Sequence, residues 1–428
     1  MKEKTLKKQI LPFYEHQKII IVEDKKWFGI FQGTGSGKTR SALELAEGKI
    51  LVVCLKQGYL DKTWEDNAEK FSIKKDLTVM SKEMFRKDWE TLPYYDTLIF
   101  DEAHTIFGVT PYMRQRNHVQ IPKASQLFEA ALGYIQKHNP IRLYTLSATP
   151  HSKPMKVWAM AKLFGVNWNF EKFRETFYVS RGGYWFSRKD EVTQHRLGLL
   201  VQKFGYTGAL EDFVDVPEQT HKEVHIDLTK AQKDAIKTLK EEEADPMIQR
   251  GRMRTIENGV LYGKDIEDIN EREAKMVKST TIFPSNKIEY ILERAVEFKK
   301  LLIFAQYTGQ INEIARVLRE EGYTVSTLTG KTKDRTFIKR VDEDPAPHII
   351  VAQSGISAGY ELPSFECVIY ASKSGEYVHY KQSLGRVLRA NKLKKNLYIH
   401  LLVKGGADMD CHKSMMIGED FQEKLSVL

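Results

Sequence analysis

The eight residues Gln32-Gly33-Thr34-Gly35-Ser36-Gly37-Lys38-Thr39 constrain this chain more than any other stretch. They follow the apolar run Trp27-Phe28-Gly29-Ile30-Phe31 and lead into Arg40-Ser41-Ala42-Leu43-Glu44-Leu45-Ala46, which reads as a helix. Strand, glycine-rich turn and helix, in that order, are the context that a phosphate-binding loop requires. Glycines let backbone N–H groups turn inward around phosphate oxygens without Cβ clashes, and the helix N-terminus adds the positive end of its dipole. In such a loop Gly33, Thr34, Gly35, Ser36 and Gly37 wrap the phosphates, Lys38 reaches the β- and γ-phosphates, and the Thr39 hydroxyl holds Mg²⁺. Gln32 stands where the pattern has glycine, and Gly33 beside it supplies the freedom. A glycine-rich turn with a chance Lys-Thr is the alternative, which the flanking strand and helix oppose. The loop by itself announces ATP or a similar nucleotide, not its use.

A chain of 428 residues exceeds what one core usually fills, so two domains are expected, 1–215 and 216–428. Lys plus Arg number 66 against 57 Asp plus Glu, a net charge of +9 that permits a polyanionic partner without demanding one. Cys54, Cys367 and Cys411 have no metal-ligand spacing, and their odd, sparse count suits a reducing compartment. No apolar run approaches the ~20 residues of a membrane span, and the first residues lack a signal-peptide core. A soluble, intracellular (cytoplasmic) protein without membrane partners is expected, in the host cytoplasm if the chain is viral.

Strand-like and helix-like segments alternate along the chain. Ile50–Leu55, Leu77–Met80, Thr97–Phe100 and Ile141–Leu146 read as strands in the first half; Leu301–Phe304, Tyr323–Leu328, His348–Ala352, Cys367–Tyr370 and Leu397–Val403 do so in the second. That alternation predicts α/β architecture with parallel sheets, where ligands sit at the carboxyl ends of strands. The phosphate loop, Asp101-Glu102 and Ser147-Ala148-Thr149 all fall at such ends. One carboxylate of the acidic pair, Asp101, would hold Mg²⁺ and its neighbour Glu102 would orient or deprotonate the attacking water. A polar cap on a buried strand is the alternative, made less economical by the upstream loop. Gln17 offers an amide suited to adenine; a surface glutamine is the bland reading. Residues 110–120 read as a loop or insertion, and 166–215 as a less certain subdomain. Within 173–186, aromatic and basic residues could grip nucleic acid or pack among themselves. Lys230–Glu243 and Ile266–Lys278 read as charged helices, and Arg250-Gly251-Arg252-Met253-Arg254 between them as a solvated face. On a helix, Gln382, Gly385, Arg386 and Arg389 would share one face, where two arginines could clamp a phosphate.

Taken in order, Gln17, Gly35-Ser36-Gly37-Lys38-Thr39, Asp101-Glu102-Ala103-His104, Ser147-Ala148-Thr149 and Gln382-x-x-Gly385-Arg386-x-x-Arg389 resemble helicase superfamily 2. Finer features are similar to the Swi/Snf-type DNA translocases: Leu51–Leu55 with Leu60 and Trp64, Lys300–Thr308, Leu328–Thr332 and Ser354–Leu362. Ser147-Ala148-Thr149 is spelled as in unwinding helicases, and Glu361 stands where the translocases have Asn or Asp. The resemblance implies two tandem RecA-like lobes, parallel sheets flanked by helices, an ATP cleft between lobes and helical insertions, one at about 230–280. It implies a compact, monomeric motor that hydrolyses ATP with Mg²⁺ on duplex DNA, gripped through its phosphate backbone. Catalysis would fall to Lys38, Asp101, Glu102, Arg386 and Arg389; nucleotide contacts would include Gly359, Glu361 and Gln382; Ser147 and Thr149 would couple the lobes. Lys56, Ser81, Gln306, Thr329 and Ser357 are the implied strand contacts. A strand-separating or annealing helicase on DNA or RNA, and a non-cycling nucleic-acid scaffold, remain as other readings.

Overall fold

The computed structural model describes residues 12–116, 119–150, 153–208, 210–213, 215–243, 245–268, 274–356, 360–388, 395–418 and 420–421. The chain divides into two compact units, Met1–Asp215 and Val216–Leu428.

The first unit runs α1 (Glu15–Glu23), β1 (Trp27–Gln32), α2 (Lys38–Leu45), β2 (Lys49–Cys54), α3 (Lys56–Leu60), α4 (Thr63–Lys70), β3 (Asp76–Ser81), α5 (Lys82–Asp88) and β4 (Thr97–Phe100). After it come β5 (Val109–Arg116), β6 (Val119–Ala124), α6 (Gln126–His138), β7 (Arg142–Leu146), α7 (Pro154–Leu163), α8 (Phe170–Phe177), β8 (Tyr178–Arg181), β9 (Tyr184–Ser187), α9 (Glu191–Phe204) and β10 (Gly205–Gly208). Six strands form one parallel sheet in the order β10-β1-β7-β4-β2-β3. Its central strands are mostly apolar because both faces are covered. Leu51, Val53, Leu98, Phe100 and Leu143 enter one core, while Ile50, Val52, Ile99, Tyr144 and Leu146 enter the other. This is the two-residue period of a strand with two buried sides. Helix α6 shows how the covering elements are cut from sequence. The Ser125 hydroxyl accepts from Phe128 N at its start, Phe128, Ala131, Tyr134 and Ile135 face the core, and Asn139 ends it in a left-handed turn.

The second unit runs β11 (Gln219–Ile226), α10 (Lys230–Glu242), α11 (Pro246–Glu257), β12 (Val260–Asp268), β13 (Ala274–Ile282), α12 (Asn286–Ala295), β14 (Lys300–Ala305), α13 (Thr308–Glu320), β15 (Val325–Leu328) and α14 (Thr336–Glu343). It continues with β16 (His348–Gln353), β17 (Cys367–Tyr370), α15 (Tyr377–Leu384), β18 (Asn396–Val403) and α16 (Ala407–Met416). Its six-stranded sheet, β11-β18-β17-β14-β16-β15, is again parallel. The expected α/β architecture of two lobes, each a parallel sheet flanked by helices, is therefore met.

Four local expectations are corrected. Residues 110–120 are not a loop throughout: β5 and β6 pair as an antiparallel hairpin with a register shift between Val109 and Met113. Polar side chains and Pro111 concealed a two-residue period whose apolar member, Met113, packs on the core. The described residues of the expected Ile266–Lys278 helix, 266–268 and 274–278, belong instead to the β12–β13 hairpin, paired in register from Val260–Ile282 to Asp268–Ala274. Charges at helical spacing were outweighed by cross-strand pairing of β-branched residues such as Thr280, Thr281 and Ile282. The 230–280 insertion is thus two helices and a hairpin. Arg250–Arg254 lies in α11, yet Arg254 is buried and donates to the Lys373 carbonyl and Cys411 Sγ. Helix α15 ends at Leu384, so Gln382, Gly385 and Arg386 do not share a helical face. The first part of the 173–186 aromatic stretch packs, with Phe173, Phe177 and Tyr178 joining the first core, while Tyr184 is exposed.

Candidate nucleotide site and nucleic-acid edge

In the first unit the strand order brings the sequence-predicted residues to one sheet edge. The phosphate loop follows β1, Ser147 follows the adjoining β7, and Asp101-Glu102 follows β4 next to it. Lys56 and Ser81 stand at the ends of the next two strands, β2 and β3.

The loop turns through Gly35 at φ 86° and Gly37 at φ 81°, a left-handed region that glycine enters without strain. A Cβ on Gly37 would also lie 2.3 Å from Gln17 Nε2. Gln17 is buried; its amide donates to the carbonyls of Ser36 (3.4 Å) and Gly37 (3.2 Å) and accepts from Tyr14 N. His16 Nε2 lies 2.9 Å from the Ser36 carbonyl. Helix α1 is thereby fastened to the loop. Lys38 Nζ donates to the carbonyls of Gln32 (2.8 Å) and Gly33 (2.9 Å), which keeps its ammonium over the loop. Arg40 is held between the rings of Phe13 and Phe71, at 3.8 and 4.4 Å, and ties residues 12–13 to α2.

Asp101 and Glu102 differ in their surroundings. Asp101 Oδ2 accepts from Trp64 Nε1 at 3.2 Å and Oδ1 from Glu102 N at 2.9 Å. Burial, and then the charge of Glu102, raise the Asp101 carboxyl above its usual range. Burial acts on Glu102 in the same direction, but the hydrogen bond with His104 and the charges of His104, Lys38 and Lys82 outweigh it and hold this carboxyl down. The surroundings thus favour the charged form of Glu102 more than that of Asp101. His104 Nδ1 lies 3.2 Å from Glu102 Oε2 and 3.2 Å from Ser147 Oγ, and Ser147 Oγ accepts from Thr149 N at 3.1 Å. A chain of contacts thus runs from the acidic pair to Ser147 and Thr149.

The donor set suits a nucleotide with Mg²⁺. The buried hydroxyls of Ser36, Thr145 and Thr149 and both amide atoms of Gln32 have no protein hydrogen-bond partner. Each such atom costs about 1–3 kcal/mol unless a polar ligand or water completes it. No trio of His, Cys, Asp or Glu able to hold a metal occurs among the described residues. Mg²⁺ takes one or two protein oxygens and completes its shell with phosphate and water. Thr39 and Asp101 would be those ligands. Among the described residues no helix is long and apolar enough to cross a membrane. The three cysteines are buried and free, and burial pushes Cys54 and Cys367 up to about 12, so they are inert thiols.

In the second unit, Gln306 and Thr329 follow β14 and β15, which flank β16. The Gln306 backbone N–H donates to Ser372 Oγ, and Gly330 N donates to Gln353 Oε1 at the end of β16. Ser357, Gly359 and Arg389 lie outside the described residues. Glu361 is exposed and Gln382 buried. Arg386 is buried: its Nε donates to the Gln382 carbonyl at 2.9 Å and its Nη1 to the Tyr360 carbonyl at 2.5 Å. It straps the end of α15 to the segment at Tyr360, rather than standing out on a helix face. Ser81 is also buried, with its hydroxyl capping α5 by accepting from Met84 N, whereas Lys56 is exposed.

Two residues gain roles that sequence reasoning did not give them. Trp64 served only as a landmark, yet it holds Asp101. Lys82 looked like any lysine after a strand, yet it is buried and its Nζ donates to the Glu102 carbonyl at 3.2 Å and to Thr105 Oγ1. Only tertiary contact distinguishes either from a bland neighbour.

Residues 285–391 match the helicase conserved C-terminal domain. The DNA 3'-5' translocase XPB2 of Sulfurisphaera tokodaii is 24% identical over 232 residues, covering 51% of this chain and 52% of that protein. The match thus spans about half of that relative's length. Two solved structures align along most of the chain. The Sulfolobus solfataricus SWI2/SNF2 ATPase core in complex with dsDNA has 15% identity, 95% and 91% coverage of this chain and that one, and a TM-score of 0.40. The Pyrococcus furiosus Hef helicase domain has 14% identity, 94% and 97% coverage, and a TM-score of 0.49.

Proposed function

We propose that this chain is an ATP-driven motor that moves along duplex DNA through contacts with the phosphate backbone, without needing to part the strands. The observation that carries the reading is the meeting of phosphate loop, acidic pair and Ser147 at the ends of adjoining strands β1, β4 and β7. The helicase-type match in the second unit and the partial similarity to a DNA translocase favour a motor over a nucleotide kinase or an inert scaffold.

In this mechanism the loop N–H groups and Lys38 bind the phosphates, with Lys38 exchanging its carbonyl partners for phosphate oxygens. Mg²⁺, when bound, offsets the charge that develops on the phosphates. Glu102 accepts a proton from the water that attacks the γ-phosphorus; the bond to the bridging oxygen breaks and the electron pair leaves with ADP. Ser147 and Thr149, joined to Glu102 through His104, pass the change away from the nucleotide. Lys56, Gln306, Thr329 and Ser357 bind backbone phosphates, which makes the grip indifferent to sequence and sensitive to salt.

The test is the ATPase rate with duplex DNA, single-stranded DNA and RNA supplied separately. Strong stimulation by duplex DNA is expected, and stimulation by RNA alone would refute the reading. The Ser147-Ala148-Thr149 spelling favours a second reading, a strand-separating helicase. Release of a labelled strand from a tailed duplex, at a rate that follows ATP turnover, would establish it instead.

A further inference from the structure

Glu102 occupies a backbone conformation that its residue type avoids. Its φ and ψ are 46° and 50°, the left-handed region. A non-glycine residue there costs about 1–2 kcal/mol, and such strain persists where surroundings enforce it, often at functional sites. The enforcing contacts converge on one atom. The Glu102 carbonyl accepts from Thr105 N at 3.0 Å, from Thr105 Oγ1 at 2.9 Å and from Lys82 Nζ at 3.2 Å. The first two are local and arise in any tight turn. The third comes from α5, twenty residues earlier, and brings a buried ammonium whose second partner is Thr105 Oγ1 itself.

Burying an ammonium is costly unless it is paired and hydrogen-bonded. A leucine or methionine could fill space beside β3 at less expense. The charge therefore calls for a reason, and its two hydrogen bonds into the Glu102–Thr105 turn supply one. The opposite sign of Lys82 supports the Glu102 side chain, while its hydrogen bond fixes the peptide from which that side chain springs. The companion carboxylate is fixed in parallel: Trp64 of α4 holds Asp101. Each member of the acidic pair thus has its own anchor from a separate helix.

We infer that Lys82 is a positioning residue for ATP hydrolysis: its ammonium holds the strained Glu102 turn so that the carboxylate faces the attacking water. The inference rests on the proposed ATPase reading. Lys82 is buried with its Nζ donating into the Glu102–Thr105 turn, so its loss is expected to act on turnover and not on binding. A displacement of the order of 1 Å at a catalytic group costs about 10²-fold in rate.

The experiment compares the full-length parent with Lys82→Met and Lys82→Arg. Each is measured for kcat and KM of ATP with saturating duplex DNA, for affinity toward a fluorescent ATP analogue, and for Tm. Lys82→Met should bind the analogue within about threefold of the parent while kcat falls about 10²-fold; Lys82→Arg should recover kcat to within about tenfold. A Lys82→Met protein that has lost Tm but keeps the parental kcat overturns the inference, because the lysine is then merely structural. Equal losses in Lys82→Met and Lys82→Arg overturn it too. Should Lys82→Met not fold, Thr105→Val takes its place: a lowered kcat with unchanged analogue affinity supports the positioning role, and a parental kcat overturns it. A parent that hydrolyses no ATP with any nucleic acid sinks the proposed function and this inference together. An active parent matched by Lys82→Met sinks this inference alone.

Discussion

Lys287 carries an ammonium into the interior of the second unit, where its Nζ donates to Asn258 Oδ1, the Ala371 carbonyl and Asp408 Oδ2, each at 2.7 Å. Removing one partner of such a pair strands the other charge. Lys287→Met should therefore lose about 3 kcal/mol in denaturant titration, although methionine fills a similar volume. Lys373 tests the reverse case. Burial, against the attraction of Asp408 and Cys411, pulls its pKa from 10.5 to about 8. Below pH 8 both the native and the unfolded chain hold the proton, and the cost of the buried charge is present in full. Between 8 and 10.5 the unfolded chain binds more protons, so the cost fades and stability rises with pH. Lys373→Met should gain about 2 kcal/mol at pH 7, with the gain shrinking toward pH 10. A gain that stays constant across that range would contradict the assignment. At the candidate site, Glu102→Gln should bind ATP and fail to turn it over, measured as retained nucleotide affinity without phosphate release.

The phosphate loop and the edge strand β10 depend on backbone space at single glycines. Gly37→Ala would place a Cβ in the left-handed region and against the Gln17 amide. We expect nucleotide affinity to drop at least tenfold with only about 1 kcal/mol lost from the fold, checked by equilibrium binding and thermal melting. At this scale the record of sequence reading is uneven, for a physical reason. Strands buried on both faces, such as Leu51–Cys54 and Leu301–Phe304, announce themselves by continuous apolar runs. The β5–β6 and β12–β13 hairpins do not, because they are decided by pairing with a neighbouring strand and not by an apolar run. Strand β10 was missed altogether. It is four residues long, and Gly205 lies so close to Gly29 that a Cβ there would meet the Gly29 carbonyl at 2.3 Å. No local pattern records that approach.

The division into two units, each with its own sheet and core, makes the response to ligands predictable for the whole chain. The phosphate loop belongs wholly to the first unit. A non-hydrolysable ATP analogue at a hundred times its Kd adds about 2.7 kcal/mol to the unit that binds it. Calorimetry should show the transition of the first unit move up while the other stays. Duplex-stimulated ATPase should fall at least about tenfold between 50 and 200 mM salt at subsaturating DNA, because released counterions oppose binding, with the DNA-free rate little changed.

By itself, the sequence determined the chemistry that needs particular atoms in a fixed local order. Gly35, Gly37 and Lys38 shape the candidate phosphate loop between a strand and a helix, since the turn and the helix dipole are local properties. The α/β class followed from the same kind of local period. Only tertiary structure decided what lies beside what. It set β7 between β1 and β4, put His104 between Glu102 and Ser147, buried Arg386 against Tyr360, and turned Lys82 onto the Glu102 carbonyl. Those outcomes depend on burial and on contacts between distant residues, and a buried ammonium is spelled with the same letter as a solvated one.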